Sequence, residues 1–260
     1  MSTFLLDKII FGPVHSRRLG ASLGINLLPN NRKICNFDCI YCECGLTHSA
    51  DISKEEMPSR EQVKNALFQS LEDIAAIDQE PDAITFAGNG EPTIHPDIAG
   101  IIEDSLETKN IFFPESDLTI LTNATSILIP EVREALKKTD KCILKLDSAL
   151  NKTLQLHNRP NIKIDAESLI DSMADLDFDI TIQTMFIKGT YNNTTIDNTG
   201  EQELEALLKA FARIRPAEVQ IYTISRDVPD GHNINKVNPE TLNSIAERIN
   251  KLGIKTRVSA

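Results

Sequence analysis

Three of the chain's five cysteines, Cys35, Cys39 and Cys42, fall within one short segment, Cys35-Asn36-Phe37-Asp38-Cys39-Ile40-Tyr41-Cys42, with the spacing C-x3-C-x2-C. Thiolates so close in sequence can wrap around one corner of a metal cluster. Iron-sulfur clusters are held by cysteine thiolates, four for a cubane, so three ligands leave one iron free to take a substrate or cofactor. The same thiols joined by Cys44 or His48 would complete a zinc tetrahedron. Spacing alone leaves both metals open. Cysteines crowded into one loop suit metal ligation or catalysis in a reducing compartment better than a disulfide framework.

A second set of residues sits at the ends of apolar runs. The run Ala83-Ile84-Thr85-Phe86-Ala87 leads into Gly88-Asn89-Gly90-Glu91-Pro92-Thr93, where glycines let backbone groups approach a ligand that a β-carbon would obstruct. A plain βα turn is the alternative. Further runs end in Leu121-Thr122-Asn123, in Lys145-Leu146-Asp147-Ser148 and in Tyr222-Thr223-Ile224-Ser225-Arg226, and another contains Gln183-Thr184. Any one of these reads as a cap or turn. Recurring at the same end of successive strands, they point to one barrel mouth. Arg17, Arg18, Arg159 and Arg226 flank strand ends or entry loops; each could recognise a carboxylate or phosphate in bidentate fashion, or be an ordinary solvated side chain. His15 and His157 receive no role.

The elements that must position these residues alternate. Strands are expected near Ser22 to Leu28, Ala83 to Ala87, Leu118 to Thr122, Cys142 to Asp147, Asp179 to Ile187 and Glu218 to Ile224, with another from Ile254 to Val258. Between the first two, Ser59-Arg60-Glu61-Gln62 reads as a capping box ahead of Val63, Ala66, Leu67, Leu71 and Ile74 on one helical face. Similar stripes run through Ile98, Ile101 and Ile102, through Leu169, Ile170, Met173 and Leu176, and through Leu204, Leu207, Leu208, Phe211 and Ile214. Leu242, Ile245, Ala246 and Ile249 mark a last helix, and Pro130 and Pro239 stand where helices begin. Strands alternating with helices predict a parallel sheet. Gly189 to Gly200 has almost nothing apolar to bury and reads as a mobile loop.

The 260 residues, 41% hydrophobic and 25% charged, suit one globular domain over residues 1–260. No apolar run is long enough for a membrane helix and the N-terminus lacks a secretory pattern, so a cytoplasmic location is expected. The 27 basic and 38 acidic side chains give a net charge of −11, which disfavours a broad polyanion-binding surface. A tRNA substrate is possible on this count but disfavoured.

With Tyr41 as the aromatic, C-x3-C-x-aromatic-C resembles the signature of the radical S-adenosylmethionine (SAM) superfamily. The resemblance implies a partial (βα)6 TIM-like barrel of parallel strands and a [4Fe-4S] cluster on Cys35, Cys39 and Cys42. In that family the open iron chelates the amino and carboxylate groups of SAM. An electron cleaves the sulfonium, giving methionine and a 5′-deoxyadenosyl radical that abstracts a substrate hydrogen. A donor such as flavodoxin or ferredoxin is implied, with a small-molecule, peptide or nucleotide substrate. Gly90-Glu91-Pro92 stands where the family has a Gly-Gly-Glu-like motif contacting the methionine amino group, although Asn89 interrupts the usual paired glycines. Tyr41, Asn123, Asp147 and Ser148 are implied near the cofactor, the last three as contacts for the ribose or the carboxylate, and Gln183 faces the same cavity. The match runs from Phe11-Gly12-Pro13 to Arg226 and is closest to small proteins labelled Fe-S oxidoreductases, related to the enzymes of tRNA wyosine synthesis. Those enzymes resemble one another in a second cluster on earlier cysteines. No cysteine precedes Cys35 or follows Cys142 here, so a single cluster is expected, with Cys142 as buried packing. The competing class is a non-catalytic iron-sulfur or zinc binding module.

Overall fold

The computed structural model describes residues 4–47, 57–225 and 233–260; His48 and Arg226 lie outside them. The strands are β1 (Ile10–Ser16), β2 (Gly20–Ile25), β3 (Ala83–Phe86), β4 (Asp117–Thr122), β5 (Lys141–Lys145), β6 (Thr181–Met185), β7 (Ile187–Tyr191), β8 (Thr194–Asp197), β9 (Glu218–Tyr222), β10 (Asn233–Lys236) and β11 (Lys255–Ser259). The helices are α1 (Arg60–Ala75), α2 (Ile98–Phe112), α3 (Pro130–Leu136), α4 (Asn151–His157), α5 (Ala166–Ala174), α6 (Glu201–Ile214) and α7 (Pro239–Asn250).

Eight strands form one sheet in the order β1-β2-β3-β4-β5-β6-β9-β11. All but β1 run parallel, because a helical crossover separates each from the next. The sheet curls into an open half barrel, the partial TIM-like architecture expected. Alternation along the strands divides its faces. Leu23, Ile25, Ile84, Phe86, Ile120, Leu144, Ile182 and Ile221 point outward into the main apolar core with the helices. The inner face carries Ser22 and Thr85, hydroxyl to hydroxyl at 2.8 Å, and Gln183, whose amide donates to Gln220 at 2.9 Å. A period of two thus separates a packing face from a face available for chemistry.

The expected caps are present. Ser59 and Gln62 form the capping box of α1, whose buried face is Val63, Leu67, Leu71 and Ile74. Pro130 and Pro239 open α3 and α7. Cys142 is buried among the outward core residues. At the far ends of the sheet, Arg257 donates to the Arg18 carbonyl at 2.7 Å and Arg17 to the Ala260 carbonyl at 2.7 Å, so the β1–β2 turn and the last strand hold one another.

Two expectations need correction. Gly189 to Gly200 is not a loop: β7 and β8 form a hairpin across it, and β10 adds on the other side of β7. The turn residues Asn192 and Asn193 take φ of +46° and +60°, the left-handed pair that a two-residue hairpin requires and asparagine tolerates. Its apolar residues, Ile187, Tyr191 and Ile196, bury in one cluster with Ile40, Tyr41, Met185 and Tyr222, against which Leu156 of α4 also packs. The expected strand from Asp179 to Ile187 is also two strands. It divides at Phe186, whose N–H donates to the Tyr222 carbonyl at 2.8 Å. β1, β10 and α4 were not foreseen.

Leu67 is fully buried beneath α1, and Leu67→Ala should lower the unfolding free energy by about 2–5 kcal/mol. Leu128, 71% exposed, should tolerate alanine within about 0.5 kcal/mol. Urea unfolding followed by circular dichroism checks both.

Candidate active site

The cysteine loop leaves β2 and is stitched on both sides. On one side Ile34 N–H donates to the Asn89 carbonyl at 3.0 Å and Glu91 N–H to the Ile34 carbonyl at 3.0 Å, so the loop adds to the turn after β3 like a short parallel strand. Gly90 makes that possible: its φ is +144°, and a β-carbon there would overlap the Ile34 carbonyl oxygen. On the other side, residues after α4 clasp the loop. Ile40 N–H donates to the His157 carbonyl at 2.9 Å, Asp38 N–H to the Arg159 carbonyl at 3.2 Å, and Asn161 N–H to the Asn36 carbonyl at 3.0 Å.

Cys35, Cys39 and Cys42 line a cavity of about 250 Å³ together with Gly88, Gly90 and Glu91. Donors already point at two of the sulfurs. Phe37 N–H lies 3.4 Å from Cys35 Sγ, and Asn158 Nδ2 lies 3.4 Å from Cys39 Sγ. Among the described residues no three thiol, imidazole or carboxylate groups converge as the ligands of a single ion would; a cubane takes one thiol per iron. Three thiols on a cavity that also carries two glycines and polar side chains fit a cluster with an organic ligand beside it.

Against known proteins, residues 33–202 match the radical SAM superfamily. The chain belongs to that superfamily. It is 31% identical over 226 residues to a Brachyspira hyodysenteriae protein named GTPase Obg, covering 85% of this chain and 31% of that one. It is 30% identical over 224 residues to a UPF0026 protein of Helicobacter pylori, covering 84% and 67%. The half barrel superposes on a radical SAM methyltransferase from Sphaerobacter thermophilus with a TM-score of 0.66 at 13% identity, over 92% of this chain and 65% of that one. For Streptococcus suis SuiB bound to S-adenosylmethionine the TM-score is 0.63 at 15% identity, over 91% and 50%. The chain thus spans less than two thirds of several of these proteins, and the structural likeness is one of fold.

Within this radical SAM fold the residues singled out from sequence separate into two groups. Tyr41, Gly90, Glu91, Asn123 and Gln183 line the cavity with the three thiols. Pro92, Asp147 and Ser148 do not. Pro92 is buried at the start of a short 3-10 helix. Ser148 donates to Glu203 at 2.6 Å and accepts from Leu150 N–H at 2.9 Å, which ties it to the start of α4. Asp147 lies behind Tyr41: it accepts from the Tyr41 hydroxyl, from Asn158 Nδ2 at 2.6 Å and from Met185 N–H at 2.8 Å.

Glu91 is 2% exposed. One carboxylate oxygen accepts from Thr93 Oγ1 and Thr122 Oγ1, both at 2.6 Å, and the other from Asn123 N–H at 2.7 Å. Burial pushes its carboxyl up, and the bonds from Asn123, Thr122 and Thr93 pull it part of the way back. The oxygen holding a single donor retains accepting capacity. Asn123 spans to the cysteine loop, donating to Asn36 at 2.6 Å. Asn89, which interrupts the family's paired glycines, is a clamp: it donates to the Leu6 and Pro29 carbonyls and accepts from Leu6 N–H, each at 2.8 Å.

Sequence reasoning missed two cations. Lys33 is buried beside the thiols, donating to Asp38 at 3.1 Å and to the Gly45 carbonyl at 3.0 Å. Lys145 donates to Tyr41 Oη at 3.1 Å and Tyr222 Oη at 3.2 Å, with Asp147 at 3.6 Å. Burial lowers the pKa of each ammonium, but negative charge nearby more than reverses this: Cys42 and the other thiols for Lys33, Asp147 first for Lys145. Strand alternation could have found Lys145, which shares the inner face with Ile143 on the cavity wall. Cys44 also faces the cavity, its sulfur 3.6 Å from the Gly88 carbonyl oxygen, and a hydrogen bond between Cys44 and Cys42 lowers the pKa of the Cys42 thiol.

Asn89→Gly would create the paired glycines common in the family, yet it removes three buried hydrogen bonds. We expect it to destabilise the protein by about 1–3 kcal/mol, read by urea unfolding.

Proposed function

We propose that the chain is a single-domain radical SAM enzyme over residues 1–260, cytoplasmic and supplied with electrons by a flavodoxin or ferredoxin. Cys35, Cys39 and Cys42 would hold a [4Fe-4S] cluster. The observation that carries the reading is the meeting of these three thiols with Gly90 and Glu91 around one cavity. When bound, the cluster and SAM supply reductive cleavage of the sulfonium and a 5′-deoxyadenosyl radical for hydrogen abstraction.

The chain's own residues bind and orient. Glu91 offers its less-bonded oxygen to the amino group of the methionine moiety, and the glycines leave backbone groups open to that moiety. Asn123, beside Cys35 at 3.8 Å, would contact the ribose or carboxylate, and Gln183 forms part of the floor. Tyr41 covers the cluster side, held by Asp147, which acts through Tyr41 rather than on the cofactor. Lys33 and Lys145 offset the negative charge of the thiolates in a site where few waters can do so. The substrate is a small molecule, peptide or nucleotide; the net charge of −11 weighs against tRNA.

The test is anaerobic reconstitution with iron and sulfide, reduction by dithionite with SAM, and chromatography for 5′-deoxyadenosine. Product formation is expected. An intact cubane that neither binds SAM nor forms product would favour the binding-module class. Cys39→Ala should lose the cubane absorption and electron paramagnetic resonance signals, since two thiols cannot hold it; a full cluster spectrum in that variant would overturn the ligand assignment. Glu91→Gln should keep the cluster spectrum and weaken SAM binding about tenfold, measured by equilibrium dialysis.

A further inference from the structure

Arg18 is the cavity cation to which the SAM reading assigns no work. It sits at the β1–β2 turn and lines the cavity with the cluster thiols, its guanidinium over the Tyr222 ring at 4.3 Å from the centroid. The other two cavity cations are engaged, Lys33 with Asp38 and Lys145 with Asp147. No described carboxylate or carbonyl meets the Arg18 guanidinium, and its Nε is buried without a hydrogen-bond partner. A buried N–H without an acceptor is costly, and a guanidinium stays charged whatever its surroundings. Such a group is satisfied by an acceptor that arrives from outside.

Its position is built. Ser16 Oγ accepts from Arg18 N–H at 3.3 Å and Leu19 N–H at 3.2 Å, and Arg257 donates to the Arg18 carbonyl at 2.7 Å. A backbone held from both sides presents the side chain with little entropy left to lose on binding. Arg18 also belongs to a different part of the cavity from the other cations. Thiolate charge reaches Lys33 and Lys145, whereas the groups acting on Arg18 are Tyr222 and Arg17. The methionine end of SAM would sit at the cluster, on the thiol side of the cavity where the lysines lie, and would leave Arg18 for another ligand.

We propose that Arg18 is the recognition group for an anionic oxygen function, a carboxylate or phosphate, on the substrate that gives up the hydrogen. The planar fork pairs with two oxygens of such a group, and the Tyr222 ring orients it. One cavity cation left without a described carboxylate partner, in an acidic protein, admits a small anion while the outer surface repels polyanions. This assignment rests on the enzyme reading of the cavity.

Inorganic phosphate and succinate, titrated separately into the reconstituted, SAM-loaded protein and followed by ligand NMR line broadening, test it. At least one should bind the unsubstituted protein and Arg17→Gln alike, and the tighter of the two identifies the group. Binding should fall about tenfold or more in Arg18→Gln, and less in Arg18→Lys, which keeps the charge but not the fork. If Arg18→Gln does not fold by circular dichroism, Arg18→Lys decides, and unweakened binding there overturns the proposal. It is equally overturned if neither anion broadens or if Arg18→Gln binds as well as the unsubstituted protein. The titrations need no turnover, so a protein that binds the anion through Arg18 yet yields no 5′-deoxyadenosine would sink the enzyme reading and leave the anion site standing.

Discussion

The close approach of the cysteine loop to the turn after β3 is the contact on which the site depends. Ile34 both donates to and accepts from that turn, and the exchange is possible only because Gly90 has no side chain to meet the Ile34 carbonyl. The loop buries Phe37, Ile40 and Tyr41, and backbone bonds on both flanks fix its path. The turn in its own place is held by Asn26, whose side chain accepts from Asn89 N–H at 3.0 Å, and by Asn89 in return. The residue that breaks the family's glycine pair therefore secures the glycine beside it.

Charge is the second constraint. A net of −11 coexists with a cavity bearing Arg18, Lys33 and Lys145. Burying an ammonium is unfavourable unless an opposite charge is near, and here Asp38 and Asp147 are near. The carboxylates anchor the lysines, and the lysines face the thiols. Asp147 has a further duty in holding Tyr41 and the β6 backbone at Met185. That makes it a hinge between the cysteine loop and the sheet, even though it does not line the cavity. Polar networks of this kind are tolerated in an interior because nearly every lone pair and proton in them is used.

The half barrel explains why polar residues can be so numerous inside. Along each strand one face must satisfy the helices, and it is predominantly apolar. The other face is free of that demand, and Gln183, Gln220 and Glu218 form a chain of hydrogen bonds across it. The small sheet of β7, β8 and β10 then covers the tyrosines beside the cysteine loop with its own apolar residues.

Much of this was legible from local pattern. The spacing of Cys35, Cys39 and Cys42, the capping box at Ser59, the helical stripes and the six main strands all depend on neighbours in sequence, whose geometry the backbone repeats. Gly189 to Gly200 misled because its few apolar residues bury with the cysteine loop and the ends of β6 and β9, partners that periodicity does not reveal, although the Asn192-Asn193 pair carried a hairpin signal. Lys33 carried no signal distinguishing it from a solvated lysine, and Lys145 only its place on the inner face of β5; their roles come from carboxylates and tyrosines that only the folded chain brings to them. The same holds for Ser148 and Asp147, adjacent in sequence yet committed to Glu203 and Tyr41 respectively. Sequence by itself determined which thiols, glycines and strands are present and in what order. Tertiary structure decided which polar groups share a cavity, since that depends on distances between residues far apart in the chain and on the burial that makes their charges count.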